Sequence, residues 1–241
     1  MIKRICQALF IMLAGVSCSP DYGIIGDGET VYIEVPVEVE VEDNDRIWVD
    51  NFYQPSTANG VDILWVIDMS GSMRDNEEKL LAGIEAMMKS LPATGWRLNM
   101  ISNSPDRVTQ DQQFPLVPGD TFQDAEDMYN NIIAGTFENG FDSLEEYMTN
   151  NSYAQTWMRW DASLLVVFVS DEEDQSSMSV NEFTTWYSNV RQDVYLASIV
   201  NVETTTSLCP QQSSLYIGYN SMDATRYFNG VIVYICSDDW S

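Results

Sequence analysis

Two continuous apolar runs constrain the fold of this chain more than any other feature. Val61 to Ile67 and Leu164 to Ser170 are apolar at nearly every position. A strand with one solvated face alternates apolar and polar residues, whereas a strand buried on both faces carries a continuous apolar run. Each run therefore predicts a central strand of a parallel sheet that is covered by helices on both sides.

Helical patterns lie between these strands and further strand candidates. Glu77 to Leu91 carries an apolar stripe, and Asp75 and Glu78 are spaced as a capping box at its start. Other helices are predicted after Thr121, Thr136 and Ser179 and before Asn229-Gly230, and other strands over Trp96–Ile101, Val194–Val200 and Val231–Ile235. The alternation predicts an α/β fold with a doubly wound, mostly parallel central sheet flanked by helices.

Polar clusters follow both central strands directly. The first is Asp68-Met69-Ser70-Gly71-Ser72, and the second is Ser170-Asp171-Glu172-Glu173-Asp174. In an open α/β sheet, ligands bind at the carboxyl ends of the strands. One carboxylate and two hydroxyls can converge there, with Gly71 allowing the tight turn, and a hard cation prefers such oxygen ligands. The last three acids of the second cluster are expected to form a solvated loop.

The Asp-x-Ser-x-Ser string after a hydrophobic strand resembles the metal-ion-dependent adhesion site of von Willebrand factor type A domains. The resemblance spans about residues 48 to 240, and the stretches 61–68 and 157–172 are similar to exported bacterial members of that family. It implies a Rossmann-like fold. It also implies that Asp68, Ser70 and Ser72 are first-loop metal ligands and that Asp171 is the acid of the third loop, which often holds the metal through water.

The family's second loop provides a threonine ligand, and its position here is less clearly marked. Thr136, within Gly135-Thr136-Phe137-Glu138-Asn139-Gly140, is the candidate, and Thr121 is the reserve. The usual spacing from this threonine to the next helix is not reproduced, so Glu138 is retained as a substitute or an assisting residue.

The resemblance also implies a function. The cation would be Mg²⁺, or else Ca²⁺ or Mn²⁺, and its open coordination position would accept an Asp or Glu carboxylate from a protein partner. A purely structural metal, in a component of a cell envelope or of a virion, is the alternative. A metal-assisted hydrolase or a phosphoaspartate switch on Asp68 is disfavoured. Receiver-type switches require a lysine late in the fold, which this chain lacks, and Ser70 stands where haloacid-dehalogenase-type phosphatases carry a second aspartate. We expect no enzymatic activity.

Composition narrows the choice of partner and metal. The 37 acidic residues outnumber the 11 basic ones, and the net charge of -26 would repel nucleic acid and anionic lipid headgroups. The chain has no His, which excludes Ser-His and Cys-His nucleophilic pairs and zinc sites of the His/Cys kind. Any metal must therefore be held by oxygen.

The N-terminus has the order of a secretory signal. Lys3 and Arg4 precede an apolar stretch from Ala8 to Val16, and small residues precede Cys18. We predict a signal peptide over residues 1–17 and lipidation of Cys18, so that the protein is exported and anchored to the bacterial cell envelope through its lipid alone. Cleavage by ordinary signal peptidase, which would give a periplasmic or secreted protein, is the alternative.

A stem is predicted between the signal peptide and the domain. Residues 18–47 are acidic, and every odd position from 31 to 41 is Val or Ile. Because Pro36 removes a strand hydrogen bond and the intervening glutamates repel one another, we predict an extended stem, with oligomerisation through its Val/Ile face as the alternative. Residues 48–241 form the predicted domain. Cys209 and Cys236 then remain as a predicted disulfide, with two buried thiols as the alternative.

Overall fold

The computed structural model describes residues 60–202, 217–237 and 240. The predicted signal peptide, Cys18, the stem and Cys209 lie outside these residues, so lipidation and the pairing of Cys209 with Cys236 stay predictions. Within the described part of the chain, no helix is both long enough and apolar enough to cross a membrane.

The described strands form one parallel sheet of five strands in the order β2-β1-β3-β4-β5. The bounds are β1 Val61–Ile67, β2 Trp96–Ser102, β3 Ser163–Ser170, β4 Val194–Val200 and β5 Val231–Tyr234. The two continuous apolar runs are β1 and β3, which lie side by side in the interior of the sheet. This arrangement confirms the predicted α/β class, the doubly wound sheet and the central position of both runs.

Helices cover both faces of the sheet. Their bounds are α1 Glu77–Ser90, α2 Pro105–Val108, α3 Phe122–Asn130, α4 Gly140–Asn150, α5 Ala154–Trp157, α6 Val180–Tyr187 and α7 Tyr219–Tyr227. Among the described residues, α1 and α3 pack on one face, and the remaining helices pack on the other. The short helices α2 and α5 were not predicted, since four residues are too few to show a helical period.

The local signals at helix starts were partly right. Ser179 and Glu182 form the predicted capping box of α6. The box predicted at Asp75 and Glu78 is wrong, because the chain first forms a 3₁₀-helix over Gly71–Asn76. Asp75 therefore lies inside this turn, and α1 begins after Asn76 without a side-chain cap.

The order of the strands locates the crevice where a ligand can bind. From β1 the chain crosses to β2 on one side, and from β3 it crosses to β4 on the other. Strands β1 and β3 are therefore the neighbours at which the winding direction reverses, and such a switch point opens a crevice at their carboxyl ends. The two polar clusters of the sequence follow these two strands.

A buried ion pair lies near the opposite, amino-terminal edge of the sheet. Asp62 of β1 is 0% exposed. Its carboxylate accepts hydrogen bonds from Nε and Nη2 of Arg159 at 2.9 and 2.7 Å, and from the backbone N–H of Arg159 at 2.6 Å. The charge of this aspartate is thus neutralised where the strand begins.

Candidate metal centre

The first loop of the candidate site begins at Asp68, immediately after β1. Its backbone N–H donates to the carbonyl of Val169 on β3 at 2.8 Å, which ties the two strand ends together. The side chain is 1% exposed. One carboxylate oxygen accepts the N–H of Ser70 at 2.8 Å, and the other accepts the Ser170 hydroxyl at 2.8 Å.

The two serines of the loop point toward the same place. The Oγ atoms of Ser70 and Ser72 are 2.8 Å apart, and the Ser72 hydroxyl donates to Oδ1 of Asp171 at 3.1 Å. Ser70 is half-buried and Ser72 is exposed, so the hydroxyls lie between a buried acid and solvent. The turn that Gly71 was expected to allow does not depend on a glycine, because its φ is not positive and a Cβ atom there would meet nothing within 4 Å.

Asp171 brings the third loop to the same point. It is 1% exposed, at the end of β3. Burial first, and then the nearby negative charge of Asp68, raise the pKa of its carboxyl from 3.8 to about 6. Within residues 60–202, 217–237 and 240, neither Asp68 nor Asp171 forms an ion pair with a basic side chain.

These four side chains fit a hard divalent cation. Two buried carboxylates without a basic partner adjoin two hydroxyls that reach solvent, and every donor is an oxygen. Mg²⁺ and Ca²⁺ take such ligands. Asp68, Ser70, Ser72 and Asp171 would hold the ion. The described residues contain no cluster of three or more Asp, Glu, Cys or His side chains at ligand distance from one point, so the hydroxyls are an essential part of this set.

The two threonine candidates of the second loop have different surroundings. Thr121 is the N-cap of α3, where its hydroxyl accepts the N–H of Asp124 and donates to the Asp124 carboxylate. Thr136 is exposed, and the hydrogen bonds that fix its loop are made by its neighbours. Phe137 exchanges two hydrogen bonds with Ser104, through its N–H at 3.1 Å and its carbonyl at 2.9 Å.

Glu138 interacts electrostatically with the acids of the site. Its pKa is raised by burial first, and then by the negative charges of Glu172, Asp68 and Asp171. Gln175 of the third loop donates to the Glu138 carbonyl at 2.6 Å and to its carboxylate at 3.0 Å. The sequence marked Glu138 as a substitute for Thr136 or as an assisting residue.

The acids after Asp171 are not a solvated loop, contrary to expectation. Glu173 accepts the N–H groups of Tyr219 and Asn220 at the start of α7, each at 2.9 Å. Asp174 accepts the N–H of Gly140 at the start of α4 at 2.7 Å. Both carboxylates satisfy helix N–H groups that have no partner within the helix, and so they fix the third loop against α4 and α7.

A cavity of about 350 Å³ adjoins the candidate site. Its lining residues include Asp68 and Ser70 of the first loop, Arg74 and Glu77 that follow it, and Tyr129 of α3. The site therefore opens onto a recess large enough to receive side chains of another molecule.

Comparisons with known proteins add likenesses at low identity. No family model and no curated relative matches the chain. Among solved structures, it is similar to proximal thread matrix protein 1 from the mussel byssus, with a zinc-occupied metal-ion-dependent adhesion site motif, at 14% identity and a TM-score of 0.49 over 74% of this chain and 42% of that one. A second crystal form of that protein is similar at 13% identity and a TM-score of 0.47, over 74% of this chain and 43% of that one. The chain thus spans less than half the length of these structures. The class of the fold follows from the sheet itself, whose parallel strands and switch point are those of a Rossmann-like α/β domain.

Proposed function

We propose that this chain is a protein-binding module of the von Willebrand factor type A kind, in which a divalent cation at the ends of β1 and β3 accepts a carboxylate from a protein partner. The observation that carries the proposal is the meeting of two buried, uncompensated carboxylates with two solvent-facing hydroxyls at the switch point of the sheet.

The charge of the site supports binding of a cation and then of an anion. Two like charges in a buried position repel each other, and a divalent ion relieves both the repulsion and the lack of hydration. The hydroxyls of Ser70 and Ser72 bring no charge, so a bound cation retains the capacity to attract a further anion. The recess beside Asp68 gives that anion access.

Among cations, Mg²⁺ is our first choice, with Ca²⁺ and Mn²⁺ as alternatives. Hydroxyl and carboxylate oxygens suit all three ions, and the absence of imidazole and thiolate from this set disfavours softer metals. The bound ion would supply an electrophilic centre for the partner's carboxylate, and the first and third loops would fix the position of the ion.

The test is a pull-down of envelope proteins with the purified, full-length chain, in Mg²⁺ and in EDTA. We expect partner capture in Mg²⁺ that is lost with EDTA and with Asp68→Ala. Asp75→Ala is the matched control, because Asp75 is an exposed aspartate of the neighbouring 3₁₀-helix. Capture that survives both EDTA and Asp68→Ala would refute the proposal.

A structural metal is the second candidate, favoured by the hydrogen bond from Ser72 to Asp171 that already joins the first and third loops. Its signature is a melting temperature that rises with Mg²⁺ while no captured protein depends on the ion. The same pull-down and a melting curve separate the two candidates.

The remaining proposals concern the residues before position 60 and the cysteines Cys209 and Cys236. We propose export, lipidation at Cys18 and display of the domain on the acidic stem of residues 18–47, together with a disulfide between Cys209 and Cys236. Mass spectrometry of the mature protein tests lipidation, because a diacyl or triacyl group adds a large and defined mass. Loss of that mass in Cys18→Ala is the expected result, and an unmodified N-terminus in the wild type would refute it.

A further inference from the structure

We propose that Glu138, and not Thr136, provides the contribution of the second loop to the cation site, and that it acts through its charge rather than as a direct ligand. This inference rests on the proposed cation, but it concerns a different residue from those that would hold the ion.

The loop between α3 and α4 is anchored on both sides of Thr136. Gly135 packs so closely on Ser104 that a Cβ atom there would lie 1.9 Å from the Ser104 hydroxyl. Ser104 also holds Phe137 through two hydrogen bonds. Thr136, between these two anchored residues, is exposed and lines neither of the cavities described at this edge of the sheet.

Glu138 is held toward the site by the third loop. Gln175 donates its backbone N–H to the Glu138 carbonyl and its side-chain amide to the Glu138 carboxylate. On the other side, the N–H of Asn139 donates to the carbonyl of Asn103 at 3.0 Å, just beyond β2. The glutamate is therefore positioned by contacts to both flanking loops rather than left free in solvent.

A small cavity lies between Glu138 and Ser170, the serine that contacts Asp68. Glu138 and Ser170 line the same cavity of about 10 Å³, and the Ser170 hydroxyl donates to Asp68 at 2.8 Å. A volume of this size holds about one water molecule. The path from Glu138 to Asp68 thus passes through one serine and room for one water.

The separation of Glu138 from the other two acids indicates whether it would bind the ion directly. The described residues hold no three acids at ligand distance from one point, which excludes joint direct coordination by Asp68, Asp171 and Glu138 in this conformation. Yet the charges of Asp68, Asp171 and Glu172 reach the Glu138 carboxylate. A negative charge at such a range attracts a divalent cation through space, and this attraction weakens with salt. A threonine hydroxyl in its place would add no charge.

The test is calorimetric titration of Mg²⁺ and of Ca²⁺ into the metal-free, full-length protein. We expect Glu138→Gln to weaken cation binding roughly three- to tenfold at low salt, and less at high salt. Thr136→Ala should change the affinity by less than about twofold, because no charge is lost. Glu138→Asp keeps the charge and should restore most of the affinity. Glu85→Gln, a charge loss two turns into α1 and paired with Lys89, is the matched control.

The outcomes separate this inference from the proposed function. If Asp68→Ala abolishes cation binding while Glu138→Gln behaves like Glu85→Gln, or if Thr136→Ala has the larger effect, the inference is wrong and the cation site stands. If the wild type binds neither cation, both are wrong. A melting curve of each variant without metal excludes misfolding, and Glu138→Asp keeps the test valid if the amide variant unfolds.

Discussion

Two aspartates at opposite ends of β1 differ in how their charges are compensated. Asp62 is 0% exposed and Asp68 is 1% exposed, so both carboxylates are removed from water. Asp62 accepts three hydrogen bonds from Arg159, two of them from its guanidinium. Asp68 accepts one from a hydroxyl and one from a backbone N–H. Burial of an anion is costly unless it is paired. Asp62 has its counter-charge within the chain, whereas none of the described basic side chains forms an ion pair with Asp68.

The same contrast holds for the surroundings of the two ends. Near Asp62, the Arg159 guanidinium also donates to the carbonyls of Val61 and Gly95, at 2.9 and 3.2 Å. Near Asp68, three acids, Asp171, Glu172 and Glu138, each have a pKa raised above the ordinary value, with burial as the largest cause. Arg74 lines the cavity beside Asp68 but forms no ion pair with it. At the Asp62 end, the ion pair stabilises the fold. At the Asp68 end, neighbouring carboxylates repel one another, and a bound cation would reduce that repulsion.

The largest expected effect comes from removing the ion pair between Arg159 and Asp62. Arg159→Met leaves Asp62 buried and unpaired, so we expect the free energy of unfolding to fall by about 3–5 kcal/mol in urea denaturation. Addition of Asp62→Asn should restore part of this loss, because the unpaired charge disappears. A loss below about 1 kcal/mol in the single variant would contradict the account.

The next largest effect is the stabilisation of the protein by Mg²⁺ bound at the Asp68 end of β1. At a Mg²⁺ concentration about a hundred times the dissociation constant, the free energy of unfolding should rise by about 2.7 kcal/mol. The increase should vanish in Asp68→Ala and persist in Asp75→Ala, as followed by thermal melting. An equal increase in all three proteins would mean that Mg²⁺ binds elsewhere.

The uncompensated end should also make stability depend on pH. The carboxyls of Asp171 and Asp174 have their pKa raised from 3.8 to about 6, so the folded chain binds protons more tightly than the unfolded chain. In EDTA, stability should therefore be lower at pH 7.5 than at pH 5.5, since the cost of charging these groups is removed as the pH falls through about 6.

Variants assign this pH dependence to its sources. Asp171→Asn should lose part of the slope, and saturating Mg²⁺ should flatten it, because the ion favours the charged carboxylates. Melting temperatures in EDTA that rise steadily from pH 5.5 to pH 7.5 would contradict the sign that we derive.

The smallest effect is expected at the threonine that the sequence offered as a reserve ligand. Thr121→Ala removes the cap of α3 and should lower the melting temperature by roughly 2–4 °C. Its affinity for Mg²⁺ should match that of the wild type within error. A loss of cation affinity in calorimetry would place Thr121 in the metal site and not at a helix end.

Much of this molecule could be predicted from sequence because its decisive signals are local. The continuous apolar runs of β1 and β3 identify central strands, since only burial on both faces tolerates them. The residues that follow them reach the same edge of the sheet without any further assumption. For this reason Asp68, Ser70, Ser72 and Asp171 were placed together correctly, while their role as metal ligands stays a prediction.

Features that depend on distant contacts could not be predicted. Arg159 and Asp62 are 97 residues apart, and no local pattern joins them. The choice between Thr136 and Glu138 depends on the contact of Gly135 and Phe137 with Ser104, across a long connection after β2. Likewise, Glu173 and Asp174 look like a solvated acidic run until the starts of α7 and α4 are placed beside them.

The central claim is that a divalent cation neutralises the buried carboxylate of Asp68, as the Arg159 guanidinium neutralises that of Asp62. Its most direct test is a crystal of the full-length protein soaked in Mn²⁺, with the ion located by its anomalous scattering. The account predicts one strong peak between Ser70 and Ser72, at bonding distance from their hydroxyl oxygens and beside the carboxylates of Asp68 and Asp171. No peak there, with the serine hydroxyls still hydrogen-bonded to each other and to Asp171, would contradict it.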